Sequence, residues 1–272
     1  MAGGLAAVLG KPVAHSLSPL IHRAGYAAAG LADWSYEAIE CDVDQLPGFV
    51  AGLGPRWAGL SLTMPLKEAA LTVAQRASAL ATRLGAANTL VRRPEGWWAE
   101  NTDAPGIAEA VAPLAAGAAV TVLGAGGTAR AALGAAASLQ VASVTMVARR
   151  AEAVDELRSV ADALGLRLAY RPWPEAAAAL TTADLVISTV PKGVADPLAR
   201  QPAWWAGSVL LDAIYDPWPT PLAAAALAAG ARVVSGLELL LAQAVRQFTL
   251  FTGVAAPVAA MRAALAGRER RP

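Results

Sequence analysis

Short apolar runs alternate with stretches in which apolar residues recur every three or four positions, and this rhythm repeats along the chain. Continuous or period-two apolar runs mark strands, and the 3.6-residue recurrence marks helices. In the first half the pattern predicts strands at Leu5 to Leu9, Trp34 to Glu40, Trp57 to Thr63 and Ala87 to Arg92, the last stopped by Pro94. Helices are expected over Pro19 to Ala29, Asp44 to Leu53 and Ala77 to Leu84, with others opened by Pro65 and Pro105. Proline suits such starts, because a first-turn N–H has no intrahelical partner to lose. A second series predicts strands at 119–123, 143–148, 166–170, 184–189, 208–213 and 232–234. Helices at 127–139, 151–164, 174–181 and 221–229 lie between them, and 237–252 and 256–266 follow. Strands alternating with helices imply parallel βαβ units in both halves, so the expected class is α/β.

Composition narrows the picture. The chain has 272 residues, 56% of them hydrophobic and 16% charged, enough apolar material for two ordinary domains and too much for disorder. A net charge of +1 argues against a nucleic-acid partner. One cysteine, Cys41, rules out an intramolecular disulfide, and with two histidines makes a metal site unexpected. Ala110 to Ala129 carries no charge and imitates a membrane span, but Pro113, Gly117 and the glycines at 124, 126 and 127 interrupt it. No basic segment precedes an apolar stretch at Met1-Ala2-Gly3-Gly4, so a cytoplasmic protein is expected, a monomer or homodimer without membrane partners. The charged end, Arg268 to Pro272, is expected to fray.

One loop carries a strong chemical signature. The strand at 119–123 runs into Gly124-Ala125-Gly126-Gly127-Thr128-Ala129-Arg130 and then a helix, which is G-x-G-x-x-A in a strand–turn–helix setting. Gly124 permits the tight turn, Gly126 lets a pyrophosphate approach the backbone, and Ala129 is small enough for close packing. The helix start offers N–H groups and a positive dipole end to the anion. About 20 residues on, where NAD sites place an acid, the chain has Ala148-Arg149-Arg150. An arginine pair suits the 2′-phosphate of NADP, so NADP is the expected cofactor.

Candidate chemistry in the first half lies at strand ends. In Gly10-Lys11-Pro12-Val13-Ala14-His15-Ser16-Leu17-Ser18-Pro19-Leu20-Ile21-His22, two hydroxyls leave a strand beside a helix start, suited to a small polyhydroxylated ligand. Thr63 ends a strand, and Lys67 is expected in the first turn of the next helix, where a cation is disfavoured. Such a lysine is either a general acid/base or an exposed surface residue. Asp103, after Glu100-Asn101-Thr102, is a partner for it or a cap of the helix at Pro105. Asn88 is a turn residue or a ligand donor and acceptor. Gln243 sits in an apolar helix, where a buried amide needs partners. His22 and Cys41 are expected to pack, and His15 to hydrogen-bond within its loop.

Together these segments resemble shikimate dehydrogenases along nearly the whole chain. Gly10 to His22 resembles the family's G-x-P-x-x-H-S-x-S-P-x-x-H element, Leu62 to Lys67 its N-V-T-x-P-x-K element, and Gly85 to Thr89 its G-A-x-N-T. Asn101-Thr102-Asp103 matches N-T-D, and Gly124 to Arg130 matches G-A-G-G-x-x-R. Tyr215 to Leu222 resembles Y-x-P-x-x-T-P-L, and Gly236 to Ala244 resembles G-x-x-M-L-x-x-Q-A. The resemblance implies a substrate domain over 1–103 and 237–272 and a Rossmann-like NADP domain over 104–236. It implies Ser16 and Ser18 at the substrate carboxylate, and Thr63, Asn88, Asp103 and Gln243 at the ring hydroxyls, with Ser61 and Tyr215 also in the substrate site. Lys67 with Asp103 would move the proton. The glycine loop, Arg130, Arg149 and Arg150 would serve the NADP phosphates, with Ala213 and Gly236 by the nicotinamide. The implied reaction is the reversible NADPH-dependent reduction of 3-dehydroshikimate in aromatic amino-acid biosynthesis. A quinate or aminoshikimate dehydrogenase and a catalytically silent ligand sensor are the alternatives; Ser16 and Ser18 favour shikimate, and retained Lys67 and Asp103 disfavour the sensor. Ser61 stands where the family carries Asn, Ala148 replaces a polar residue, Arg23 an Asn, and Leu240 a Met.

Overall fold

The computed structural model describes residues 3–141, 143–201 and 204–266, and the terminal segment Arg268 to Pro272 lies outside them. Two compact units are present: residues up to Thr102 together with those from Leu240 onward, and Asp103–Leu239.

The first unit runs β1 (Leu5–Gly10), α1 (Ser18–Ala28), β2 (Ser35–Glu40), α2 (Leu46–Ala51), β3 (Trp57–Leu62), α3 (Ala70–Val73), β4 (Arg76–Ala77), α4 (Ala79–Leu84), β5 (Thr89–Arg93) and β6 (Gly96–Glu100). The strands form one sheet in the order β2-β1-β3-β5-β6-β4. β1 pairs in parallel with β2 and β3, but β5 is antiparallel to both β3 and β6. The sheet is therefore mixed, which corrects the expectation of parallel βαβ units throughout. The hairpin arises because Pro94 and Glu95 form a turn that Gly96, at φ 122°, completes in a conformation that favours glycine.

The second unit runs α5 (Asp103–Val111), β7 (Ala119–Leu123), α6 (Gly127–Ser138), β8 (Ser143–Ala148), α7 (Ala151–Leu164), β9 (Leu168–Pro172), α8 (Ala176–Leu180), β10 (Leu185–Ser188), β11 (Val209–Asp212), α9 (Pro221–Ala228) and β12 (Arg232–Ser235). Its sheet is wholly parallel, in the order β12-β11-β10-β7-β8-β9. This is a doubly wound arrangement, with the switch point between β7 and β10. Its strands are apolar on both faces, as a sheet covered on both sides requires. The charge-free stretch that imitates a span is divided among α5, β7 and α6, and among the described residues no helix is long and apolar enough to cross a membrane.

α10 (Gly236–Thr252) and α11 (Val258–Ala266) return to the first unit. Gly25 of α1 makes room there for Phe248 of α10 and Met261 of α11, since a Cβ would lie 2.8 Å from Phe248 and 3.2 Å from Met261. Gly59 of β3 does the same for Phe251. Phe248 and Met261 are fully buried, each contributing roughly 1.5–3 kcal/mol by leaving water.

Candidate active site

In the first unit, sheet direction gathers the candidate residues. The carboxyl ends of β1, β3 and β6 and the start of β5 lie at one edge, because Ser61 pairs with Thr89 and Thr89 with Glu100. The loop bearing Ser16 and Ser18 leaves β1, the turn bearing Thr63 and Lys67 leaves β3, Asn88 precedes β5, and Asn101 and Thr102 follow β6. Backbone bonds join them: Lys11 N–H to Met64 C=O at 2.9 Å, Leu62 N–H to Asn88 C=O at 2.7 Å, and Ala87 N–H to Lys67 C=O at 2.7 Å. Gly10 admits this closeness, since a Cβ there would strike Thr63 Cγ2 and come within 2.9 Å of Met64 C=O.

The structure alters two expectations at this edge. The helix after Pro65 begins only at Ala70, so Lys67 sits in a turn and the helix-start argument for its chemistry does not apply. Asp103 is itself the first residue of α5, where an acid suits the positive dipole end, rather than a cap before Pro105. Asp103 is buried, and Lys67 half-buried.

Behind the edge lies a buried polar network. Ser61 Oγ, 4% exposed, accepts from Tyr36 Oη at 2.6 Å and donates to Gln247 Oε1 at 2.7 Å. Gln247 Nε2 donates to Asn88 C=O at 3.2 Å and Thr89 Oγ1 at 2.9 Å. Asn88 Oδ1 accepts from Thr102 N–H at 2.7 Å and Thr89 Oγ1 at 2.9 Å, while its Nδ2 donates to Thr102 Oγ1 at 2.9 Å. Asn101 Nδ2 donates to Ala86 C=O at 3.0 Å. Ser18 N–H donates to Ser16 Oγ at 3.3 Å, and Ser18 is buried while Ser16 is half-buried. Gln243 Nε2 turns to its own helix, donating to Leu240 C=O at 2.7 Å. His22 packs, as expected: its ring stacks on Tyr36 at 4.1 Å and neither nitrogen meets a partner in bonding geometry. Burial drives its pKa from 6.5 down to about 3, opposed in part by the neighbouring Gln247 side chain. Burial likewise pushes the Tyr36 hydroxyl far up.

Tyr36, Thr89 and Gln247 are not legible as site residues one by one. The available signal is Gln247 itself, one helical turn after Gln243 on an apolar helix.

In the second unit the glycine loop stands at the sheet's switch point, where open α/β sheets bind ligands. Gly124 holds φ 104°, and a Cβ there would sit 2.6 Å from Thr189 Oγ1, which itself donates to Leu123 C=O at 2.7 Å. Ala125 and Gly126 continue the loop. Gly126 is the N-cap of α6 without a side-chain cap, and a Cβ on it would meet nothing within 4 Å. The start of α6 thus adjoins open space at Gly126, suited to the approach of a phosphate. Ala129 is fully buried and Arg130 half-buried. Arg149 and Arg150 are exposed at the end of β8. A helix start, a bare loop and two cations fit a phosphorylated dinucleotide.

The loop after β11 carries Ala213 and Tyr215, so Tyr215 belongs to the second unit. Asp212 anchors this loop, accepting from Ile214 N–H at 3.2 Å and Thr220 Oγ1 at 2.7 Å; burial pushes its carboxyl up and these bonds oppose the shift. Gly236 donates its N–H to Ile214 C=O at 3.3 Å, and a Cβ would strike Ala213 C=O.

Residues 8–90 match the shikimate dehydrogenase substrate binding domain, and residues 236–266 the shikimate 5′-dehydrogenase C-terminal domain. An NADP(+) shikimate dehydrogenase of Caulobacter vibrioides is 40% identical over 258 residues, 91% of this chain and 89% of that protein. The chain belongs to the shikimate dehydrogenase family. The shikimate dehydrogenase of Mycobacterium tuberculosis is 48% identical and superposes with a TM-score of 0.88, covering 97% of this chain and 99% of that one. The shikimate 5-dehydrogenase of Thermus thermophilus, solved with NADP(H) and shikimate, is 30% identical with a TM-score of 0.81, covering 97% and 99%. The curated relatives that this chain matches are NADP(+)-dependent shikimate dehydrogenases, oxidoreductases acting on a CH–OH group, and the structural neighbours pair an α/β substrate domain with a Rossmann-like domain.

Proposed function

We propose that this protein is an NADP-dependent shikimate dehydrogenase that reversibly reduces 3-dehydroshikimate to shikimate, acting in the cytoplasm as a monomer or homodimer. The observation that carries the proposal is the gathering of Ser16, Ser18, Thr63, Lys67 and Asn88 at one sheet edge, in a chain that also bears a phosphate-ready glycine loop. Residues 1–103 and 237–272 form the substrate domain and 104–236 the NADP domain.

Ser16 and Ser18 hold the substrate carboxylate through neutral hydroxyls. Thr63, Asn88, Asp103 and Gln243 hold the ring hydroxyls, Tyr215 also serves the substrate, and Ser61 supports from within. Gly124 to Arg130 cradle the pyrophosphate, Arg149 and Arg150 pair with the 2′-phosphate, and Ala213 and Gly236 face the nicotinamide. When bound, NADP(H) exchanges a hydride with the ring carbon. Lys67 gives a proton to the carbonyl oxygen as the alcohol forms and takes it back in the reverse direction, and Asp103 orients that proton. An ammonium can donate its proton to the carbonyl oxygen, and a carboxylate can accept from the hydroxyl that results, so the pair is suited to this transfer. Lys67→Ala is expected to lower kcat about 100-fold or more while changing the KM for shikimate far less. An equal loss in both would contradict the proton-transfer role.

A further inference from the structure

We propose that Asp212 is a positioning residue for the nicotinamide half of the cofactor, because its carboxylate clasps both ends of the loop on which that half would rest. This rests on the proposed NADP site, and the order of the strands supplies its direction. The glycine loop follows β7, and Arg149 and Arg150 follow β8 on one side of it, whereas β10, β11 and β12 lie on the other side. With the pyrophosphate at the glycine loop and the 2′-phosphate at the arginine pair, the nicotinamide half extends over the ends of β10 and β11. The segment that follows β11 is 213–220, which leads into α9.

Pro217 and Pro219 bring no N–H of their own to this segment, and bonds to the Asp212 carboxylate close it. Oδ1 accepts from Ile214 N–H at its start, at 3.2 Å, and Oδ2 accepts from Thr220 Oγ1 at its end, at 2.7 Å. Thr220 Oγ1 accepts in turn from Ala223 N–H at 3.1 Å, so the same clasp sets the start of α9. Asp212 pairs in register with Ser188 of β10 on one side and Ser235 of β12 on the other, so the carboxylate stands on an interior strand. Ala213 N–H ties the loop to that strand's neighbour, donating to Ser188 C=O at 3.0 Å. Asp212 is 2% exposed and Thr220 6%, so water does not compete for these bonds. Bonds to a carboxylate are charge-assisted and roughly twice as strong as neutral ones. The loop is therefore set before the cofactor arrives, and binding the nicotinamide half does not have to order it.

The test measures binding of NADP+ and of adenosine 2′,5′-bisphosphate, which lacks the nicotinamide half, by isothermal titration calorimetry. It compares wild type, Thr220→Val, Thr220→Ser and Asp212→Asn, each confirmed as folded by circular dichroism. The Kd for NADP+ should rise about tenfold in Thr220→Val, which loses a charge-assisted bond, and about threefold in Asp212→Asn, which keeps a neutral one. It should return toward wild type in Thr220→Ser, and the Kd for adenosine 2′,5′-bisphosphate should stay unchanged throughout. A merely structural clasp would weaken both ligands alike, and that result would overturn the proposal. So would an unchanged Kd for NADP+ in Thr220→Val, or no recovery in Thr220→Ser. Wild-type protein that binds neither ligand would defeat the cofactor reading itself, and the proposal with it. Because no step needs shikimate, the expected split between the two ligands without turnover of shikimate would uphold the clasp and leave the substrate assignment at fault. Should Asp212→Asn not fold, the pair Thr220→Val and Thr220→Ser decides the matter.

Discussion

His22 provides a prediction that depends chiefly on burial. Its imidazole is fully buried against Tyr36, and its pKa falls from 6.5 to about 3 on folding. Above pH 6.5 the ring is neutral in both states and contributes no pH dependence. As the pH falls below 6.5 the unfolded chain takes up a proton that the folded protein refuses, so stability is lost from 6.5 down to about 3. Each pH unit in that window costs about 1.4 kcal/mol, so moving from pH 7.5 to 5.0 should cost about 2 kcal/mol through this residue. With a urea slope near 2 kcal/mol per molar, the midpoint should fall by about 1 M. His22→Phe keeps the stacked ring and removes the titration. Its midpoint, followed by circular dichroism, should therefore shift less between the two pH values, by about that 1 M. The other histidine, His15, is exposed, and His15→Asn serves as the control. An identical pH response in wild type and His22→Phe would refute the argument.

Other expectations follow from single contacts. Ser61→Ala strands the Tyr36 hydroxyl and Gln247 Oε1 together, at about 1–3 kcal/mol each, whereas Tyr36→Phe leaves the Ser61–Gln247 bond intact and should cost only about 1 kcal/mol. Denaturant unfolding that ranks Tyr36→Phe as the costlier change would contradict the network. Arg149→Ala removes one charge-assisted phosphate contact and should raise the KM for NADP about 10- to 100-fold while leaving that for shikimate in place. An unchanged KM for NADP would remove Arg149 from the cofactor site.

Much of this architecture is legible from the chain. The second series of strands and helices reads almost residue for residue, because buried parallel strands are continuous apolar runs and the glycine loop punctuates them. The first half is harder. β6 escapes the pattern because Pro94 looks like an ending, although Trp97 and Ala99 alternate toward the core as a hairpin strand should. The helix after Pro65 starts later than the proline suggests, since a turn held by Leu66 N–H to Thr63 C=O at 2.8 Å precedes it. Family motifs nominate Ser16, Thr63, Lys67 and Asn88, but for Ser61, which stands where the family carries Asn, they do not disclose its place in a buried chain of hydrogen bonds. That role depends on Tyr36 and Gln247, 25 and 186 residues away, and no local pattern encodes such a contact.

The central claim is tested most directly by following reduced nicotinamide absorbance with purified protein, pairing shikimate, quinate or aminoshikimate with NADP or NAD. Turnover should be fastest with shikimate and NADP, and Lys67→Ala should abolish most of it. Absence of turnover with shikimate, or a preference for NAD, would contradict the account.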